Sequence, residues 1–271
     1  MQPSLAAGCL EENLALIAGR VERSVQSGRI DILVLPECFN GTFDSADGSV
    51  SQRSRSFLSA LAVKHETCVI GGSVEWRAPN GRLYNTTFVY DRSGREVGSY
   101  HKRMLFGREA ERRAVGDSEG IFELEGWRVG VLNCADCWHP ELARELLHRV
   151  DLICVPAETV VPQREHMIYA RTLWHNLAFT RAEENSTPLV VADWAAGALK
   201  REVVQDDPER DRFTSGAATI VDPSMRPDLN RIQQTIEAGD PGELTAELNW
   251  ERLVEFRAYR RRVGLLPARD A

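Results

Sequence analysis

Apolar residues recur along the chain in two rhythms. Short runs, apolar at nearly every position, read as strands buried on both faces: Ile32 to Leu35, Cys68 to Glu75, Leu152 to Pro156, Leu189 to Asp193 and Ala217 to Pro223. Two pairs of runs are joined by turn residues and read as hairpins. Asn85 to Asp91 pairs with Val97 to Tyr100 across Ser93-Gly94, and Ile121 to Leu124 pairs with Trp127 to Leu132 across Glu125-Gly126. The second rhythm is helical. Glu11 to Val25 carries Leu14, Leu16, Ile17 and Val21, and Ser51 to His65 carries Phe57, Leu58, Leu61 and Val63. Leu142 to Val150, Gln163 to Glu184 and the basic stretch Trp250 to Arg262 complete the predicted helices. Glu243 to Asn249 reads as a further strand, and Lys200 to Arg212, dense in charge and broken by Pro208, as an exposed loop.

Strands that alternate with helices, with hairpins mixed in, predict one mixed-sheet α/β domain over residues 1–271. No Gly-, Ser- or Pro-rich linker and no internal repeat divides the chain. A domain of this kind is expected to open on a core strand. The chain opens on Met1-Gln2-Pro3, which reads as a loop, so either the first strand is missing or the true start lies upstream.

The formal net charge of −7 disfavours a nucleic-acid or anionic-membrane partner. No apolar run approaches the roughly 20 residues of a membrane helix. The first residues lack a basic region and meet Glu11 and Glu12 early, unlike a signal peptide. Six cysteines in 271 residues are too sparse for a disulfide scaffold, and reduced thiols in a cytoplasmic protein are expected.

The candidate chemistry centres on Val129 to Glu141, where an apolar run ends at Asn133-Cys134-Ala135-Asp136 and Pro140-Glu141 opens a helix. A thiol at such a junction lies near backbone N–H groups that lower its pKa and stabilise an oxyanion. Glu37 and Lys102 also stand at ends of apolar runs, and strand ends on one edge of a sheet converge. A carboxylate serves a cysteine nucleophile as base, and an ammonium holds the charge of a tetrahedral intermediate. Taken singly, each residue has a plainer reading: a turn cap, a solvated lysine, an inert buried thiol.

Three blocks, in order, resemble the nitrilase or carbon–nitrogen hydrolase superfamily. They are Leu33-Val-Leu-Pro-Glu37, Tyr100-His-Lys102-Arg-Met-Leu-Phe, and Gly130-Val-Leu-Asn-Cys134-Ala-Asp136 with Pro140-Glu141. Gly71-Gly-Ser-Val-Glu, Leu83-Tyr-Asn85-Thr, Gly116-Asp117, Arg181-Ala-Glu-Glu184-Asn185 and Ile220-Val-Asp-Pro223 extend the likeness over nearly the whole chain. The resemblance implies a four-layer α-β-β-α sandwich with mixed sheets. It implies Glu37 as general base, Cys134 as nucleophile, and Lys102 with the Ala135 backbone N–H as oxyanion donors. It also implies a second, positioning glutamate, for which Glu109 and Glu111 are both candidates; spacing from Lys102 and Gly116 favours Glu109. Glu141 would be structural. The implied reaction is hydrolysis of a small amide through a thioester on Cys134, releasing ammonia or an amine, with no metal or organic cofactor.

Ala135-Asp136 resembles the amidase-like branches more than true nitrilases, which carry tryptophan then glutamate there; N-carbamoyl compounds and nitriles are the alternative substrates. Glu158 follows Pro156-Ala157, where many members place an aromatic. A carboxylate facing the site there would suit a cationic or polar substrate group, and one facing solvent would not bear on it. Members commonly form homodimers or larger oligomers, and Met167, Ala170, Leu173 and Trp174 make an apolar stripe suited either to that role or to the core. Competing readings are a thiol-redox or zinc site using Cys134-x-x-Cys137 with His139, a catalytically silent scaffold, and acyl transfer to an amine.

Overall fold

Runs that are apolar on both faces become strands covered on both faces. The computed structural model of the chain describes residues 1–42, 47–200, 211–225 and 232–267. A five-stranded sheet contains β1 (Ile32–Val34), β2 (Cys68–Ile70), β3 (Val74–Arg77), β4 (Leu83–Tyr90) and β5 (Glu96–His101). β1 and β2 are parallel; β4 runs antiparallel to β2, β3 and β5. A six-stranded sheet contains β6 (Ile121–Leu124), β7 (Trp127–Val131), β8 (Leu152–Pro156), β10 (Leu189–Ala192), β13 (Thr219–Val221) and β14 (Gln233–Thr235), in the order β14-β13-β10-β8-β7-β6. Its centre, β7-β8-β10, is parallel. A small antiparallel sheet joins β9 (Val160–Val161), β11 (Gly197–Lys200) and β12 (Asp211–Thr214).

Period-two alternation sorts the strand residues into three apolar layers. Val34, Cys68, Ile70, Val89, Val129, Val131, Leu152, Cys154 and Ala192 meet between the two large sheets. Leu33, Leu35, Val69 and Phe88 face outward from the first sheet onto Leu14 and Ile17 of α1 (Leu10–Gln26) and Leu58 and Leu61 of α2 (Ser49–His65). Ile153, Val155, Leu189 and Val191 face outward from the second onto Leu142 of α3 (Pro140–Glu145) and Trp174 and Ala178 of α4 (Met167–Asn185). The result is the expected α-β-β-α sandwich. Gly130 permits the close approach there, since a Cβ at that position would stand 2.8 Å from Leu146 Cδ1. The terminal helix α5 (Trp250–Arg262) is clamped by Arg257, which donates to Asp151, to the Val150 and Ser186 carbonyls and to Thr187.

Several expectations are corrected. Glu243 to Asn249 forms no strand, although Leu244, Ala246 and Leu248 do alternate inward; the burial pattern is that of a strand, but the backbone is not paired in a ladder. Ahead of α1, Gln2 forms an isolated antiparallel bridge with Gly242, and the Met1 and Pro3 carbonyls accept from the Asp193 and Ala195 N–H groups. The helix expected to reach Val150 stops at Glu145 and passes into turns. The expected loop from Lys200 to Arg212 has strands at both ends, with Lys200 in β11 and Asp211 and Arg212 in β12; residues 201–210 lie outside the described residues. In the Met167 stripe, Ala170 and Trp174 are buried by the protein's own fold.

The run Cys68 to Glu75 is not one strand. It breaks at Gly71-Gly72, because Gly72 adopts φ +59° and passes so close to the Pro36 carbonyl that a Cβ would lie 2.0 Å from its oxygen. Ser73 Oγ, just beyond, accepts from the Cys38 N–H at 3.2 Å. The break therefore supports the turn that carries Glu37. Gly72→Ala should destabilise the protein by on the order of 2 kcal/mol, roughly a 5 °C fall in melting midpoint. Gly81→Ala, at φ +79° with open space around it, should lower the midpoint less. Thermal unfolding of the two variants checks the difference.

Candidate active site

Glu37, Lys102 and Cys134 lie just past the ends of β1, β5 and β7, Glu37 in a turn, Cys134 in a 3-10 turn and Lys102 with its N–H donating to the Asn85 carbonyl at 2.9 Å. The Glu37 turn is fastened to the chain just past β8 and β10. The Glu37 N–H donates to the Ala157 carbonyl past β8 at 3.2 Å, and Trp194 Nε1 past β10 donates to the Glu37 carbonyl at 2.7 Å. Cys134 adopts φ +49° as the first residue of a 3-10 turn, Cys134–Trp138. Asp136 in that turn is fully buried. One of its oxygens accepts from the Asn133 N–H at 2.9 Å and from Tyr100 Oη at 2.8 Å. The other accepts from the Arg103 and Met104 N–H groups at 3.1 and 2.6 Å. One carboxylate thus ties the cysteine's turn to the segment that follows Lys102. Burial pushes its carboxyl above the usual range, against the pull of those donors.

The functional side chains meet in a buried charged cluster. Lys102 Nζ lies 2.7 Å from Glu37 Oε1 and 2.7 Å from Glu109 Oε2. Asn85 Nδ2 donates to Glu37 Oε1 at 2.8 Å and Glu109 Oε1 at 2.9 Å, and Asn133 Nδ2 donates to Asn85 Oδ1 at 3.2 Å. Glu109 accepts further from the Phe106 N–H at 2.8 Å and from Arg113 Nη1. Burial opposes the ammonium of Lys102, but Glu37, Cys134 and Glu109 around it hold its pKa well above normal. Burial works against the Glu109 carboxylate as well, yet Lys102 and Arg113 bring its pKa down to about 2. The Cys134 thiol is pushed well above normal by burial and by the Glu37 charge, which outweigh Lys102. The resting cluster therefore holds a neutral thiol and an ionised Glu109 beside Glu37, a lysine and an arginine.

The two carboxylates differ in what they can still accept. Both Glu109 oxygens carry two donors each, which exhausts their lone pairs. In Glu37 both the lysine and the asparagine sit on Oε1, and the carboxylate charge acts on the Cys134 thiol. Glu37 can take a proton from sulfur; Glu109 is fully engaged in holding its neighbours.

Of the residues the sequence singles out, Glu37, Lys102, Cys134 and Glu109 come together. Ala135 follows the sulfur-bearing residue and is buried. Glu158 is buried, which excludes the solvent-facing reading, and its backbone carbonyl lies 3.9 Å from Cys134 Sγ. Glu111 is corrected: it pairs with Arg108 on the surface, outside the cluster, because the 3-10 turn Gly107–Glu111 points Glu109 inward and Glu111 outward. Glu141 stands exposed in the first turn of α3 beside His139. Cys137 is buried against the helical layer with a thiol pushed up to about 12 by burial, unlike a redox-active thiol. Among the described residues, no group of three or more His, Cys, Asp or Glu side chains is arranged to hold a metal ion.

Asn85, Asn133, Asp136 and Arg113 were not foreseen as site residues. Asn85 was the most discoverable, being a carboxamide within a run that is otherwise strand-like.

Comparison with known proteins identifies the family. The family model described as carbon-nitrogen hydrolase matches residues 1–253. A 2-oxoglutaramate amidase from Bacillus subtilis is 29% identical over 193 residues, covering 68% of this chain and 71% of that protein. An omega-amidase from Saccharomyces cerevisiae is 25% identical over 266 residues, covering 90% and 84%. The crystal structure of Saccharomyces cerevisiae Nit3, a member of branch 10 of the nitrilase superfamily, superposes with TM-score 0.73 at 24% identity and covers 100% of this chain and 94% of that one.

Because Glu37 raises the thiol, Glu37→Gln should lower the pKa of Cys134 even as it removes the base. Titration of the Cys134 thiolate by ultraviolet absorbance, with Cys134→Ala subtracted, should show ionisation at lower pH in the variant. An unchanged or raised value would contradict the electrostatic coupling.

Proposed function

The chain belongs to the carbon–nitrogen hydrolase family, and from that premise we propose an amidase that cleaves a small linear amide through a thioester on Cys134. One observation carries this reading: the buried juxtaposition of Glu37, Lys102 and Cys134, with the carboxylate bonded to the ammonium and its charge acting on the thiol.

The reaction begins with a neutral thiol. As the substrate carbonyl comes up to Cys134, Glu37 takes the sulfur's proton and sulfur bonds to carbon. The oxygen of the tetrahedral intermediate gains a negative charge. Lys102 Nζ donates to Glu37 and Glu109 and has a third N–H, which supports its assignment to that oxygen. The Ala135 N–H, in the first turn of the 3-10 segment where backbone donors lack an intrahelical acceptor, supports a second contact. Collapse breaks the carbon–nitrogen bond, and Glu37 returns its proton to the departing nitrogen. Water then enters, loses a proton to Glu37 and attacks the thioester; the acid leaves and the proton passes back to sulfur. Glu37 handles the proton in both halves, and Glu109 holds Lys102 in place.

The relatives are consistent with amide substrates, as a 2-oxoglutaramate amidase and an omega-amidase are among them. Ala135 beside the sulfur, in place of a bulky aromatic, supports room for an sp² carbonyl with a substituent on either side. N-carbamoyl compounds and nitriles are the other substrate classes to compare.

The test is ammonia release from a panel of linear amides, N-carbamoyl amino acids and nitriles. At least one linear amide should be turned over. Cys134→Ala should cut turnover by roughly 10⁴-fold or more, as removal of a covalent nucleophile does. Release from nitriles alone, or turnover that survives in Cys134→Ala, would overturn the proposal.

A further inference from the structure

The cluster does not end at Glu109. Arg113 Nη1 reaches Glu109 Oε1, and its Nε lies 3.2 Å from Glu75 Oε2. Arg112 Nη2 lies 3.1 Å from Glu75 Oε1. Signs therefore alternate without interruption from Glu37 through Lys102, Glu109, Arg113 and Glu75 to Arg112. The Arg113 side chain is 7% exposed and that of Glu75 1%, whereas Arg112 at 48% reaches the surface. Three elements meet in this row. Glu75 lies on β3, Glu109 in the 3-10 turn and Arg113 just beyond it.

We propose that Arg113, backed by Glu75, is a positioning residue that keeps Glu109 a fixed anion, so that Lys102 stays aimed and Glu37 alone exchanges protons. The inference rests on the amidase reading for its meaning in turnover, and on geometry for its substance. Without Arg113, Glu109 Oε1 keeps only the Asn85 donor, at 2.9 Å. A carboxylate so placed, beside the Glu37 charge and buried, would bind a proton more readily. Once protonated, it would cease to anchor the ammonium as an anion. The guanidinium presents separate N–H groups to Glu109 and Glu75, so one cation is held between both carboxylates. The groups facing Glu109 are Lys102, with Glu37 and Cys134 behind it, and Arg113, with Glu75, Arg112 and Cys38 behind it.

The test reads Cys134 directly and needs no substrate. Alkylation of Cys134 by iodoacetamide is followed across pH by mass spectrometry of its peptide, in the full chain. In the unmodified sequence Glu109 is ionised throughout, so it contributes no inflection. In Arg113→Gln a new inflection should appear between about pH 4 and 7, as Glu109 titrates beside the thiol. Arg113→Lys should keep the original shape. The decisive comparison is made in Glu109→Gln: adding Arg113→Gln there should produce no inflection, because the titrating group is gone. If Arg113→Gln fails to fold by circular dichroism, Arg113→Met, which also removes the cation beside Glu109, is read in its place and should show the same inflection. A profile without inflection in the folded variant, or an inflection that persists when Glu109 is glutamine, overturns the proposal. A protein that hydrolyses no amide would refute the amidase reading and leave these profiles unaffected.

Discussion

An ammonium with 1% of its side chain exposed must be answered by opposite charge, and the answer organises this molecule. Removing Lys102 from water costs several kcal/mol unless Coulombic attraction and hydrogen bonds replace its hydration. Two carboxylates 2.7 Å away supply that replacement. They create a second demand, since two buried anions around one cation leave an excess of negative charge. Arg113 meets it, Glu75 answers Arg113, and Arg112 carries the row to solvent. Neutrality is thus kept by alternation, and each charge is fixed by the next. The sandwich contributes what such a row needs: rigid strand ends from two sheets, pinned by Asp136 and by the Trp194 and Ala157 contacts to Glu37.

What the sequence disclosed follows from which features leave a local signature. Runs such as Leu152 to Pro156 show both-face burial directly, so the central strands and their ends were legible. Glu37, Lys102 and Cys134 were legible because each ends such a run and because the surrounding blocks resemble a family. Asn85 was harder, because a polar residue inside a strand tells nothing about which end of the molecule it faces. Arg113 was hidden for a different reason. It belongs to Arg108-Glu-Ala-Glu-Arg-Arg113, a run that looks solvated throughout. Arg108 and Glu111 pair on the surface while Glu109 and Arg113 turn inward, and only the phase of the 3-10 turn decides which. The segment from Glu243 to Asn249 teaches the converse. Its alternation is genuine, but a strand also requires a partner edge, and period alone cannot reveal one.

The state of the thiol follows from the same electrostatics. Glu37, at the end of the alternating row, presents its charge to the thiol. A sulfur that ionised before substrate arrived would add a third anion to a buried cluster already balanced. Burial and Glu37 prevent this, and the thiol stays protonated. In the reaction proposed above, attack moves negative charge from the sulfur region onto the carbonyl oxygen, where the third N–H of Lys102 is assigned to meet it. The proton moves to Glu37 in the same step, so the cluster exchanges one neutralised anion for another. Charge separation is therefore confined to the moment of bond formation, when a preorganised cation lowers the barrier most. The order of events, thiol first and thiolate only in the presence of an electrophile, follows from the buried balance of charge and does not require a separately activated cysteine.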